Sequence, residues 1–131
     1  MAFVVKQAVL PAQGAAGATS VTILCEVPSA FVQPNYAPQR LSVISPSLVT
    51  GAATNFATIN IRQMRAGAAV ATIGTLALSA STVTLPAEVP VSIPITGSPV
   101  LLDADVIDVQ LVQSGTGLVL PAGIVASVEM A

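Results

Sequence analysis

Three of the six carboxylates in this chain fall within six residues, Asp103, Asp105 and Asp108, in the run LLDADVIDVQLV. Clustered carboxylates are what a hard cation needs, and facing carboxylates are what general acid–base chemistry needs. Calcium takes about six to eight oxygen ligands. This run offers Asp103 and Asp105 as its nearest pair, without the Asp/Asn/Gly pattern of an EF-hand loop. These two aspartates are weak metal candidates. A turn explains them better, because a short acidic side chain bonds its own backbone just ahead of a strand, here one starting near Val106. Asp108 has the opposite parity and is expected mid-strand on the solvent face. Acid–base work needs two carboxylates across a substrate, whereas these are neighbours on one turn.

The remaining catalytic residue types are scarce. The chain has no His, which excludes Ser-His-Asp and Cys-His arrangements and nearly all zinc sites. Cys25 stands alone, so it forms no internal disulfide and reads as a small buried hydrophobe. Lys6 has nothing nearby in sequence to depress its pKa. GAAGA and SGTG contain glycine, but neither follows a strand and opens a helix, so neither is a phosphate loop. We expect no enzyme and no cofactor.

At 131 residues the chain suits one domain with a real core. Hydrophobic residues make up 53% and charged residues only 8%, against about 25% charged in an average soluble domain. Ser, Thr, Gln, Asn, Ala and Pro must therefore cover the surface. Such a surface loses little hydration energy when another protein covers it, which favours life within an assembly over a plain monomer. Only Lys6, Arg40, Arg62 and Arg65 are basic, and the net charge is −2. Nucleic-acid binding needs a basic track or a stacking platform, so no nucleic-acid partner is expected. Residues 66–87 carry no charge, but they are rich in Thr, Ser and Ala and read as two strands rather than a membrane span. Lys6 and Gln7 interrupt the apolar start, so no secretory leader is expected.

Period-two alternation dominates the chain. In SVTILCEV the apolar set is Val21, Ile23, Cys25 and Val27. Leu41 and Val43 follow the same rule, as do Ala57, Ile59 and Ile61, then Ile107, Val109 and Leu111, and finally Ala126, Val128 and Met130. RAGA predicts a tight turn between strands ending near Met64 and starting near Ala69. Pro90 and Pro94 share a parity in EVPVSIPI, so residues 89–95 are expected at a sheet edge, with Val89, Val91, Ile93 and Ile95 toward the core. About eight short strands of this kind predict an all-β antiparallel sandwich, jelly-roll-like or immunoglobulin-like. Residues 1–17 are either a first strand plus a loop or an arm that docks on a neighbour, and residues 18–131 form the sandwich. The loop 28–40 is either a contact surface or a cover over one end of the sandwich. SGTGLVLPAG reads as a long hairpin loop.

Two stretches, TNFATINIRQMRAGAAVATIGTLAL (54–78) and LLDADVIDVQLVQSGTGLVLPAGIVASVEM (101–130), together resemble small structural proteins of tailed bacteriophages, often head decoration or minor capsid proteins. In that group a TN…T strand turns into VATL.L, and a late hairpin of the form L.aGDvi.v…GTGl..P closes the domain. The group has Gly where Ala104 stands, which leaves the turn type open. The resemblance implies a β-sandwich that binds the outside of an assembled shell, often as a homotrimer, and stabilises the head. The implied partners are the major capsid protein and further copies of itself. The implied location is the capsid exterior of a virion assembled in the host cytoplasm, with no membrane. Contacts are expected from Phe3 in the 1–17 segment, Phe31 and Tyr36 in the 28–40 loop, and Leu118 and Leu120 in the 114–122 loop. The alternative is a tail or fibre module that binds a host receptor or glycan, although a chain with one Tyr and no Trp makes a poor sugar platform.

Overall fold

The computed structural model describes residues 3–15, 19–28 and 35–131. Its strands are β1 (Val4–Leu10), β2 (Ser20–Glu26), β3 (Pro38–Ile44), β4 (Val49–Thr50), β5 (Phe56–Arg65), β6 (Ala68–Ala77), β7 (Thr84–Leu85), β8 (Val91–Ile93), β9 (Val106–Ser114) and β10 (Ile124–Met130). They form two four-stranded antiparallel sheets, ordered β1-β10-β3-β8 and β2-β9-β5-β6, and a small β4-β7 ribbon. Leaving the ribbon aside, successive strands alternate between the two sheets except at the β5–β6 hairpin. That connectivity is a jelly roll. An immunoglobulin sandwich would instead keep its first two strands in one sheet.

The alternation seen in the sequence becomes the packing of the core. Ala57, Ile59 and Ile61 of β5, Ile107, Val109 and Leu111 of β9, and Ala126, Val128 and Met130 of β10 are all almost fully buried. Thr58, Asn60 and Arg62 take the other face of β5. Ala66 and Gly67 both have positive φ, 52° and 80°, so the β5–β6 hairpin closes through a two-residue turn of the mirror-image type that matches strand twist. Residues 4–10 are a full strand of the sandwich, in unbroken register with β10 from Val4↔Met130 to Leu10↔Ile124.

Two sequence expectations need correction. In β2 the register slips between Ile23 and Cys25. A bulge moves every later side chain to the opposite parity. Leu24 and Cys25 are therefore both buried, while Val21 and Ile23 lie 51% and 70% exposed. In the 89–95 segment the strand is only Val91–Ile93. Ile93 is buried and Ile95 packs against the core, but Val89 is exposed. Glu88 sits at φ 59° and swings the chain round before the strand begins. The strand does lie at a sheet edge beside β3, flanked by its two prolines.

Candidate functional site

The acidic run is organised by what lies across from it in the second sheet. β5 and β9 pair with Met64 opposite Val106 and Arg62 opposite Asp108. This brings Gln63 and Arg65 beside the turn that precedes β9. Asp105 N–H donates to Leu102 C=O at 3.1 Å to close that turn. The Asp105 carboxylate is 1% exposed. Its Oδ1 accepts from Arg65 Nε at 2.8 Å. Its Oδ2 accepts from Arg65 Nη2 at 2.9 Å, Gln63 Nε2 at 2.7 Å and the Leu102 N–H at 2.9 Å. Gln63 Nε2 also donates to Val100 C=O at 2.8 Å, and the Asp105 carbonyl takes the Val27 N–H at 2.7 Å. One carboxylate thus ties together the end of β5, the 100–105 segment and the exit of β2.

This arrangement is a structural clasp. The Arg65 hydrogen bonds hold the Asp105 carboxyl down to about 2 against the effect of its burial, with further help from Leu102 N–H and Gln63. A group so engaged takes no proton near neutrality, and its carboxylate is shielded from solvent with Arg65 already bound across both oxygens. Asp103 is exposed beside it, and among the described residues no three His, Cys, Asp or Glu side chains gather as metal ligands. Asp108 does lie on the outer face of its strand, but it is only 5% exposed because Arg62 covers it. Arg62 Nε donates to Oδ1 at 2.8 Å and Nη2 to Oδ2 at 2.7 Å. Next to this pair, Thr75 Oγ1 donates to Asn60 Oδ1 at 2.9 Å and Asn60 Nδ2 to Gln110 Oε1 at 3.3 Å. The centre of this sheet's outer face is thus a flat polar lattice of paired groups. Cys25 is likewise structural: burial pushes its thiol up to about 11, so it stays protonated at neutral pH.

Because the folded-state pKa of Asp105 lies below its unfolded value, its contribution to stability is present above about pH 4 and is lost as pH falls toward 2. The stability advantage of the native chain over Asp105→Asn should therefore shrink across that window by at most about 2 kcal/mol, less whatever solvent screens at the half-exposed Arg65. Urea titrations of both proteins at intervals from pH 5 to 2 check this. A constant gap would mean the carboxylate charge contributes nothing.

The residue before Asp105 carries its own strain. Ala104 has φ 66°, the left-handed region that costs a side-chain-bearing residue about 1–2 kcal/mol. After the greater freedom of Gly in the unfolded chain is allowed for, Ala104→Gly should stabilise the protein by about 0.5–1 kcal/mol. A thermal melt should register a rise of a few degrees, and an unchanged or lower midpoint would contradict it.

The side chains expected to make contacts are placed unevenly. Phe3 is 65% exposed. Phe31 lies outside the described residues. Tyr36 is 2% exposed and its backbone pairs in both directions with Leu101, at 2.9 and 2.7 Å. Its hydroxyl is buried without a hydrogen-bond partner among the described residues. Leu120 is buried and Leu118 packs against the core. Both belong to a folded-back loop. Gln113 caps it, accepting from Leu118 N–H at 2.9 Å and donating to Leu118 C=O at 2.8 Å. Gln13 and Leu120 pair backbone to backbone at 3.0 and 2.8 Å. Tyr36 and Leu120 therefore offer no surface to a partner, and Val119, at 62% exposed, is the outward residue of that loop.

Exposed apolar side chains include Val5 and Val9 on β1 and Val21 and Ile23 on β2, besides Leu48, Val70, Val100 and Leu102 elsewhere. With Phe3, those on β1 and β2 line the two edge strands on one side of the sandwich. Alternation set Val21 and Ile23 on one apolar face with Cys25 and Val27, and the bulge in β2 reverses them; FVV carries apolar residues at both parities, so alternation alone did not say which would face out. Among the described residues, the cleft beside Pro38, Ile95, Pro99 and Val100, about 350 Å³, is lined by no charged side chain. No protein-family model, curated protein or solved structure matches this chain.

Proposed function

We propose that this protein is a decoration, or cement, protein of a tailed bacteriophage, binding the outside of the head shell and stabilising it. The observation that carries this reading is the character of its surface. The buried carboxylates Asp105 and Asp108 are paired with arginines within the chain, and large apolar side chains stand exposed along β1 and β2. Covering such a surface displaces water from apolar groups while few charges lose hydration. The resemblance of residues 54–78 and 101–130 to phage structural proteins supports the same reading.

The mechanism is burial repeated over many copies. Each copy contacts the major capsid protein and its own neighbours, and simultaneous engagement raises avidity without any strong single site. Quantitative mass spectrometry of purified virions from the source of this gene, counting copies against the major capsid protein, tests it. Hundreds of copies per particle are expected. A handful would place the protein at the tail or portal and favour receptor binding, and absence from the particle would overturn the proposal.

A further inference from the structure

The two large sheets end in four edge strands among the described residues, β1 and β8 in one and β2 and β6 in the other. An edge strand presents unpaired N–H and C=O groups to any extended chain, and folds blunt such edges with short strands, prolines, bulges or charge. β8 has only three residues and lies between Pro90 and Pro94. β2 carries a register shift between Ile23 and Cys25. β6 faces two register shifts, at Ile61/Arg62 and Gln63/Met64. β1 differs from all three: it runs seven residues in unbroken register with β10 and contains neither Pro nor Gly. Phe3, Val5 and Val9, on the face turned away from the core, are 65%, 55% and 64% exposed. Its one charge is Lys6.

We propose that β1 pairs antiparallel with β1 of a second copy about a two-fold axis at Gln7, joining two four-stranded sheets into one of eight strands. The sequence of β1 selects both the occupant and the register. For the apolar outer faces to match, paired residues must share a parity. With Gln7 opposite itself, Val5 falls opposite Val9 of the second copy, and Val9 opposite its Val5. Lys6 then falls opposite Ala8, a small side chain that leaves the ammonium a route to solvent. An axis at Lys6 would set like charges face to face, which opposes pairing. An axis at Ala8 would shorten the pairing to residues 6–10 and bring Pro11, which has no N–H, opposite Val5, whereas the axis at Gln7 uses all seven residues of β1 and meets Pro11 only at Phe3, outside the strand. Lys6 thus excludes the neighbouring register while leaving one self-complementary register open. Such an isologous contact closes at two copies, unlike the trimer that the phage resemblance implies.

Sedimentation of the full chain over a range of concentrations tests the proposal, with two double variants at exposed positions. The native chain should form a dimer that dissociates on dilution. Val5→Lys with Val9→Lys sets like charges opposite one another and should weaken the dimer by about tenfold or more. Val5→Lys with Val9→Glu sets opposite charges face to face and should keep the dimer near native strength. A trimer, a monomer at every concentration, or equal behaviour of the two double variants would overturn the proposal. None of these results alters the copy number in virions, so the decoration reading stands or falls separately.

Discussion

Replacing Gly51 with valine is expected to leave the chain without a cooperative thermal transition, and Gly51→Ala to lower its stability by about 3 kcal/mol or more. A Cβ at this buried position would stand 2.4 Å from Ala80 C=O and 2.7 Å from both Leu78 C=O and Val83 C=O. All three obstacles are backbone, so no rotamer change relieves the clash. All three are also in use. Val83 C=O accepts from Gly51 N–H at 3.0 Å, Leu78 C=O from Ala52 N–H at 3.1 Å, and Ala80 C=O from Val83 N–H at 3.0 Å. A side chain must therefore displace the 78–83 segment and strain these bonds together, between Leu78 and Leu85, both fully buried. Circular dichroism during heating reads the result. A midpoint for Gly51→Ala within a few degrees of native would mean that this segment yields easily and that the β4-β7 ribbon adds little.

Asp105→Ala should cost about 2–3 kcal/mol. The substitution strips an acceptor from the Leu102 N–H, Gln63 Nε2 and both engaged nitrogens of Arg65. The cost stays below that of a fully buried broken pair because Arg65, 44% exposed, can turn to water. Asp103→Ala, two residues away on an exposed site, should change stability by no more than about 0.5 kcal/mol. Urea titrations of the two variants separate a clasp from a generally acidic turn. The clasp predicts a lower midpoint for Asp105→Ala at an unchanged slope. Equal effects at both positions would mean that the contacts of Asp105 with β5 contribute little.

The fold class and much of the element order were legible in the sequence because they rest on local physics. A pleated strand sends alternate side chains to opposite faces, so Ala57, Ile59 and Ile61 announce a half-buried strand without knowledge of their partners. Two prolines of one parity mark an edge wherever that edge lies, and the turn at Ala66 and Gly67 needs only its own four residues. The turn role of Asp105 was legible too, since its bond to the Leu102 N–H spans three positions.

Tertiary structure decided what depends on contacts between residues distant in the chain. The choice of jelly roll over immunoglobulin order lies in which strands pair, and local periodicity is identical for both. The partners of Asp105, Gln63 and Arg65, stand about forty positions away and reach it only because β5 lies beside β9. The bulge that turns Val21 and Ile23 outward exists only relative to β9. Tyr36 and Leu120 belong to the core, on segments that backbone bonds to Leu101 and Gln13 hold in place. A side chain's exposure is a property of what covers it, and in an all-β fold that cover comes almost entirely from elsewhere in the chain.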